Sequence, residues 1–323
     1  PSIQETAGRT GAVQTFEDLL KSPNDERLFE YYCTSQIALI DINGKVRNIG
    51  PPAIYDAAEF SPDGKYLLVT RIERPFSYQY PYFRFPKKVE VWDTSGKMAA
   101  TVANIPLQDN LPVQGVQVGP RSYGWIPTEG ASLMWVEALD GGDPRKKVTP
   151  RDRLMKFSAP FTGAVSEVLK VQNRYQGRIF GEKDGMMLFY DFDRDTRHRR
   201  IFMTDYRNPA DVKMISDLNV SDRYNDIGQP VMKTLPNGNS VIRQNGDLIF
   251  LTGAGASPDG DRPFLRQMDL KTGKTDEIFP AQKGSKDRKN EYIFPPGEGE
   301  IGGVRGICRG KRLFVLYPPR IAD

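Results

Sequence analysis

Hydrophobic residues along this chain come in short runs cut by Gly, Pro, Asp and Asn, the pattern of an all-β protein. Five runs end on an aspartate that opens a turn. Gln36–Ile40 meets Asp41 of DINGK, Val89–Trp92 meets Asp93 of DTSGK, and Leu133–Leu139 meets Asp140 of DGGDPRK. Met187–Phe192 meets Asp193 of DRDTRHR, and Leu265–Met268 meets Asp269 of DLKTGK. An aspartate there accepts from backbone N–H groups two residues on, while Gly supplies the positive φ that a tight hairpin requires. The turns lie 52, 47, 53 and 76 residues apart. Three of these intervals fit a four-stranded propeller blade, and the fourth fits a blade with an insertion.

Inner strands fall between those hairpins. After Phe60, SPDGK makes a turn and Tyr66–Thr70 a strand, with related forms at Leu235–Arg243 and Ala256–Phe264. A β-sandwich with regular hairpins is the competing architecture. The repeat interval and the SPDG turn favour a partial β-propeller of about five to six blades of four-stranded antiparallel sheet. A short helical segment precedes it. In Thr15–Tyr32, Thr15 can cap and Phe16, Leu19 and Leu20 sit at helical spacing before Pro23 interrupts. A second short turn there would carry Leu28, Phe29 and Tyr32 against the sheet. The expected organisation is a helical or extended segment over 1–35, blades over 36–279, and an atypical tail or incomplete blade over 280–323. In that last stretch Arg312–Tyr317 alone reads as a strand.

Composition narrows the partners. The 323 residues carry 45 Lys and Arg against 41 Asp and Glu, a net charge of +4. No basic tract is interleaved with stacking aromatics, so a nucleic-acid partner is not expected. No run of eighteen apolar residues exists to form a membrane-spanning helix. The two cysteines, Cys33 and Cys308, are too few for a disulfide framework, and either a pair or two free thiols fits the sequence.

The single histidine, His198, bears hardest on chemistry. A serine-protease triad needs a serine on a strained elbow, a histidine base and a carboxylate. The elbow G-x-S-x-G is absent; Gly255-Ala-Ser257 and Gly238-Asn-Ser240 both lack the second glycine. His198 lies in Arg197-His198-Arg199-Arg200, where neighbouring cations depress its basicity, so it reads as a surface-turn residue. Asp191-Phe-Asp193-Arg-Asp195 opens like a calcium loop, but Thr196 stands where Gly is needed and Phe202 where Glu must close it. Gly273-Lys274-Thr275 ends like a phosphate loop, with Met268 in place of its first glycine. Neither a metal nor a cofactor is expected. One segment stands apart: Arg71–Lys88 mixes four further basic residues with aromatics and three prolines. Arg74 and Arg84 are its candidate substrate-binding residues, able to pair a carboxylate bidentately. The plainer reading is a packed connection whose cations face solvent.

Several stretches resemble a known family. FEDLLKSPNDERLFEYYCTSQIALID, VRNIGPPAIYDAAEFSPDGKYLLVT and RIERPFSYQYPYFRFPKKVEVWD are similar to the N-terminal propeller of glutamyl endopeptidases, serine peptidases of the prolyl oligopeptidase clan. The likeness continues through YGWIPTEGASLMWVEALDGGDPRKKVTPRD and LTGAGASPDGDRPFLRQMDLKTGKTDEIF, and so covers Phe16–Phe279. It implies a parent enzyme whose C-terminal α/β-hydrolase domain supplies serine, aspartate and histidine, while the propeller limits entry to peptides. Cleavage after glutamate is implied too, as is an exported bacterial location. No triad position carries over to this chain, which would be the non-catalytic gating portion, with peptide substrate and the hydrolase domain as partners. The alternative is a stand-alone propeller that binds peptides.

Overall fold

The computed structural model describes residues 16–109, 111–183 and 185–279, and two further strands near the C-terminus. A helix, α1 (Pro23–Cys33), comes first. Pro23, read from sequence as an interruption, is instead its first residue. Ser22 caps it by accepting from the Asp25 N–H at 3.3 Å, and a proline at that position loses no hydrogen bond. Phe29 turns inward, while Leu28 and Tyr32, expected against the sheet, are exposed. Thr15 lies outside the described residues.

Strands follow in antiparallel order. The first sheet holds β1 (Thr34–Ile40), β2 (Val46–Phe60), β3 (Tyr66–Ile72), β4 (Lys87–Asp93) and β5 (Met98–Ile105). The second holds β6 (Arg121–Trp125), β7 (Ser132–Ala138), β8 (Asp152–Ser158) and β9 (Ser166–Val171). The third holds β10 (Arg174–Phe180), β11 (Met186–Asp193), β12 (His198–Asp205) and β13 (Lys213–Asn219). In the fourth, the first strand is split into β14 (Gln229–Pro230) and β17 (Gln244–Asn245) by an inserted hairpin, β15 (Met232–Thr234) and β16 (Ser240–Ile242). Then come β18 (Leu248–Gly253), β19 (Phe264–Asp269) and β20 (Thr275–Phe279). Apart from these, β21 (Arg305–Arg309) pairs with β22 (Arg312–Leu316).

The sheets are the blades of a β-propeller, and the core lies in the seams between them. Leu68, Val89 and Val91 of the first blade meet Trp125, Leu133 and Trp135 of the second. Met134, Val136 and Leu154 on the opposite face of that second blade meet Tyr175, Met187 and Phe189 of the third. Met186, Leu188 and Met203 then meet Ile242, Ile249 and Leu251 of the fourth. Because side chains alternate across a strand, a strand buried on both faces is apolar along its buried run, as LMWV in β7 is. The turns that follow first strands reach across to the neighbouring sheet: Gly181, after β10, forms a parallel bridge with Ile242 of the inserted hairpin, and Asp63 N–H donates to the Gly130 carbonyl at 3.0 Å.

The aspartate turns are real, yet they are not one repeated element. The first half of β2 pairs with β1 and its second half with β3. With that second half counted as the first blade's first strand, Asp93 and Asp269 join a third strand to a fourth, whereas Asp140 and Asp193 join a second to a third. Similarly, of the SPDG-like turns, Ser61–Gly64 follows a first strand, Ser257–Gly260 follows a second, and Leu235–Asn239 closes the inserted hairpin. A constant landmark is the start of each second strand, at Tyr66, Ser132, Met186 and Leu248.

Leu133 is fully buried in the seam between the first two blades. Leu133→Ala is expected to lower stability by about 2–5 kcal/mol, through lost transfer energy and the cavity left behind. Ile40→Ala, at an exposed position, should change it by less than about 0.5 kcal/mol. Urea denaturation of both variants checks the contrast.

Candidate functional site

The aromatic segment after β3 folds back over α1. Phe29 of the helix packs edge-on to Phe76 at 5.1 Å and to Phe85 at 5.7 Å, and these two rings stack on each other. Ile54, Ile72, Leu20 and Leu107 complete this small core. The segment's cations have partners. Arg74 grips Glu30 with two bonds, Nε to Oε1 at 3.0 Å and Nη2 to Oε2 at 2.8 Å, and reaches Glu26 through Nη1 at 2.8 Å. Its guanidinium also lies 4.6 Å from the Phe76 ring centre. Arg84 sits between the rings of Phe16 and Tyr80, 5.2 Å from each. Lys87 pairs with Asp56 at 2.6 Å, and Lys88 with buried Glu90 at 2.9 Å.

So Arg74 does read a carboxylate bidentately, and the carboxylate belongs to α1. Hydrogen bonds from Arg74 hold the Glu30 carboxyl below its ordinary range, and the same donor, helped by Tyr78, does so for Glu26. For Glu90, burial would raise the carboxyl, but bonds from Lys88 and Trp92 and the charge of Arg71 keep it low. An open cleft of about 490 Å³ lies beside this clasp, lined by Arg27, Glu30, Tyr31 and Thr34.

A second charged constellation joins the second and third blades. Asp152, at the head of β8, is fully buried; it accepts from Arg174 Nη1 at 2.6 Å and from the Tyr175 N–H at 2.7 Å, and pairs with Arg121 at 2.8 Å. Asp140 takes the other arm of Arg174 together with Arg151 at 3.0 Å, while also accepting the Gly142 N–H of its own turn at 2.9 Å. Asp191 repeats the device, accepting from Arg200 at 2.9 and 2.6 Å and from the Asn173 N–H at 3.0 Å. Burial pulls the Arg121 guanidinium below its ordinary value despite the facing Asp152 carboxylate. Carboxylates saturated by arginine and backbone donors have little capacity left for a metal or a substrate proton. The sequence did not give up this network, because Arg174 meets Asp140 and Asp152 across 34 and 22 residues. The one available cue was a charged trio, Arg151-Asp152-Arg153, at the start of an apolar strand.

His198 opens β12, is partly exposed, and contacts Asp217 of the neighbouring strand through Nδ1 at 2.7 Å. The sequence had placed it in a solvated turn without that partner. A histidine and a carboxylate are two parts of a triad, and no serine hydroxyl bonds to the ring among the described residues. Asp193 is a turn residue, accepting from the Asp195 N–H at 2.9 Å. Cys33 is exposed, and the Cys308 side chain lies outside the described residues.

No family profile matches this chain. A rice (Oryza sativa subsp. japonica) protein named "Probable glutamyl endopeptidase, chloroplastic" is 36% identical over 293 residues, which take in 88% of this chain. An Arabidopsis thaliana protein of the same name is 36% identical over 282 residues, 84% of the chain. The chain is homologous to the glutamyl endopeptidases. It spans 31% of the rice relative's length and 29% of the Arabidopsis one's. Among solved structures, an acylaminoacyl peptidase in complex with Z-Gly-Gly-Phe-chloromethyl ketone matches 77% of this chain and 35% of its own, with a TM-score of 0.42 and 14% identity. Uncomplexed Pyrococcus horikoshii acylaminoacyl peptidase matches 76% of this chain and 36% of its own, with a TM-score of 0.41 and 14% identity. Likeness at that level transfers no residue role, so the glutamyl endopeptidase kinship rests on sequence.

Two outcomes are expected here. Asp152→Ala removes the carboxylate paired with Arg121 and one of the two that hold Arg174, and should cost about 3–5 kcal/mol in urea denaturation. A loss under about 1 kcal/mol would show that Asp152 does not pin the blades. For the Arg74 clasp, both glutamates have lowered values in the folded state, so its stabilisation is complete above the ordinary glutamate range and disappears as pH falls through the lowered values. NMR signals of α1 should therefore stay put from neutral pH to about 4.5 and shift below it. Arg74→Gln should already speed tryptic cleavage after Arg27 severalfold at neutral pH. Helix signals that already titrate at or above the ordinary glutamate value would refute the clasp.

Proposed function

We propose that this chain is the non-catalytic, substrate-gating propeller portion of a serine endopeptidase of the glutamyl endopeptidase kind, whose parent enzyme hydrolyses peptide bonds after glutamate. The observation that carries the reading is the alignment itself. It takes in most of this chain, and so most of its blade residues, yet less than a third of the relatives' length. The chemistry of the described residues agrees with a gating role. The exposed His198–Asp217 pair lacks a serine partner, and the buried aspartates of the second and third blades are committed to arginines. In this reading an α/β-hydrolase domain of the parent supplies the serine, and the blades limit what reaches it.

Arg74 and Arg84 remain the proposed substrate-binding residues. Their surroundings set a condition on that role. A peptide carboxylate that takes the Arg74 fork must displace Glu26 and Glu30, so acidic-peptide binding and a seated α1 exclude each other. A second reading, a stand-alone propeller that binds peptides, is favoured by that same fork, which already reads carboxylates.

Two assays separate the readings. The purified chain should leave a glutamate-containing fluorogenic peptide uncleaved, and hydrolysis that follows the chain through purification would overturn the gating role. Titration with Glu-rich and Lys-rich peptides addresses the second reading. A binding module of the proposed kind should prefer the Glu-rich peptide, lose affinity as salt rises, and weaken about tenfold in Arg74→Gln. Indifference to peptide charge would remove its basis.

A further inference from the structure

The seam between the second and third blades carries more positive charge than it neutralises. Four arginines meet there: Arg121 of β6, Arg151 just before β8, and Arg174 and Arg178 of β10. Two carboxylates answer them. Asp140 pairs with Arg151 and Arg174, and Asp152 pairs with Arg174 and Arg121. Among the described residues no other carboxylate pairs with any of the four. Arg178 bonds neutral acceptors alone: the Ser122 carbonyl at 3.0 Å, the Tyr175 hydroxyl at 3.0 Å and the Met134 carbonyl at 2.7 Å. Four guanidiniums against two carboxylates leave two positive charges over.

Donors go unused at the same place. The Arg121 side chain is 11% exposed; its Nη2 is spent on Asp152 at 2.8 Å, and its Nη1 is buried with no acceptor. Arg178 Nε is buried and unused as well. Space adjoins both side chains. Strand pairing sets Arg121 against Val136 and Gly124 against Met134, the two residues of β7 that face the third blade. A bulge at Ser122 and Tyr123, with Ser122 at a left-handed φ of 51°, brings positions three apart onto one face. Beyond its chain neighbours, a β-carbon on Gly124 would come within 4 Å of Arg178 Nη2 alone, at 3.8 Å. Gly124 is partly exposed, so the gap is reached from solvent. Tyr175 flanks it, with its hydroxyl on Arg178 and the charges of both Arg121 and Arg178 acting on its phenol.

A buried charged donor without an acceptor is costly, and so is a buried charge without a counter-charge. A water molecule would relieve the first cost and leave the second. An anion relieves both, and it does so most strongly where the surroundings are poorly polar. The gap has the volume of one absent side chain beside buried nitrogens, which suits a small ion better than a peptide. We infer that a monovalent halide, chloride in kind, binds between Arg121 and Arg178 in the gap over Gly124 and completes the joint between the second and third blades. This site does not depend on the peptidase reading, since it follows from charge and packing within the seam.

Thermal unfolding of the intact chain tests it, in sodium chloride against sodium gluconate at equal ionic strength. Raising chloride from about 10 to about 300 mM should lift Tm by about 2–4 °C above the gluconate series, levelling off as one site fills. Bromide should act alike and give an anomalous-scattering peak between Arg121 and Arg178 in crystals of the chain. Arg121→Gln should lose the chloride-specific rise. Because that change also touches Asp152, Gly124→Val serves as a second variant, filling the gap while every charge stays in place, and it should lose the rise too. Where Arg121→Gln fails to fold, the Gly124→Val result decides. Equal curves in chloride and gluconate would overturn the inference, leaving water as the occupant. A rise that survives the substitutions would overturn it as a general salt effect. Stabilisation by a Glu-rich peptide where chloride has none would overturn it too, by giving the gap to a peptide carboxylate. Hydrolysis results leave each of these outcomes untouched.

Discussion

The seams depend on strands that are apolar on both faces. In β7, Leu133 and Trp135 point one way while Met134 and Val136 point the other, and all four are buried. In β11, Met187 and Phe189 face the second blade while Met186 and Leu188 face the fourth. Such a sheet has no side that water can cover without cost, so the second and third blades are each stabilised by a neighbour on both faces. The alternation also fixes register, since a slip of one residue would exchange the two seams. Each blade is thus held by what lies beside it more than by its own ladder of hydrogen bonds.

Charge is added to that frame where two blades must keep a set angle. Asp152 belongs to the second blade and accepts from the backbone and side chain at the start of β10, in the third. Asp140 and Arg151 extend the contact around Arg174. A buried ion pair is weak evidence for net stability, because apolar replacements of the same shape can do as well. Its directional bonds do specify one arrangement of the two sheets, which sliding apolar faces alone would leave looser.

Strand positions and the propeller class were legible in the sequence because they are local. Runs such as Val89–Trp92 and turns such as Asp93–Lys97 announce themselves within a few residues. What failed was the assumption that like turns hold like places. An aspartate with N–H groups two residues on makes the same turn at Asp93 and at Asp140, although the strands it joins differ in rank. Pro23 misled for a related reason: a proline that ends one helix begins another equally well when a serine precedes it. At the candidate site, Arg74 and Arg84 drew notice as exposed basic groups in an aromatic loop. Their partners, Glu30 and Phe16, lie far back along the chain and become visible only once the loop folds over α1. The ion network of Asp140, Asp152 and Arg174 stayed hidden on the same account of distance.

The connections between blades also differ in slack. Gln172 and Asn173 alone carry the chain from β9 to β10, and Asn173 is itself bonded to Asp191. From β5 to β6 and from β13 to β14 the chain runs through longer irregular stretches. Over evolutionary time, then, insertions and deletions have somewhere to settle between the first and second blades and between the third and fourth. Between the second and third they have nowhere to go, since any added residue would pull apart a buried aspartate and the strand it holds. That joint should be the part of the molecule whose length its descendants preserve.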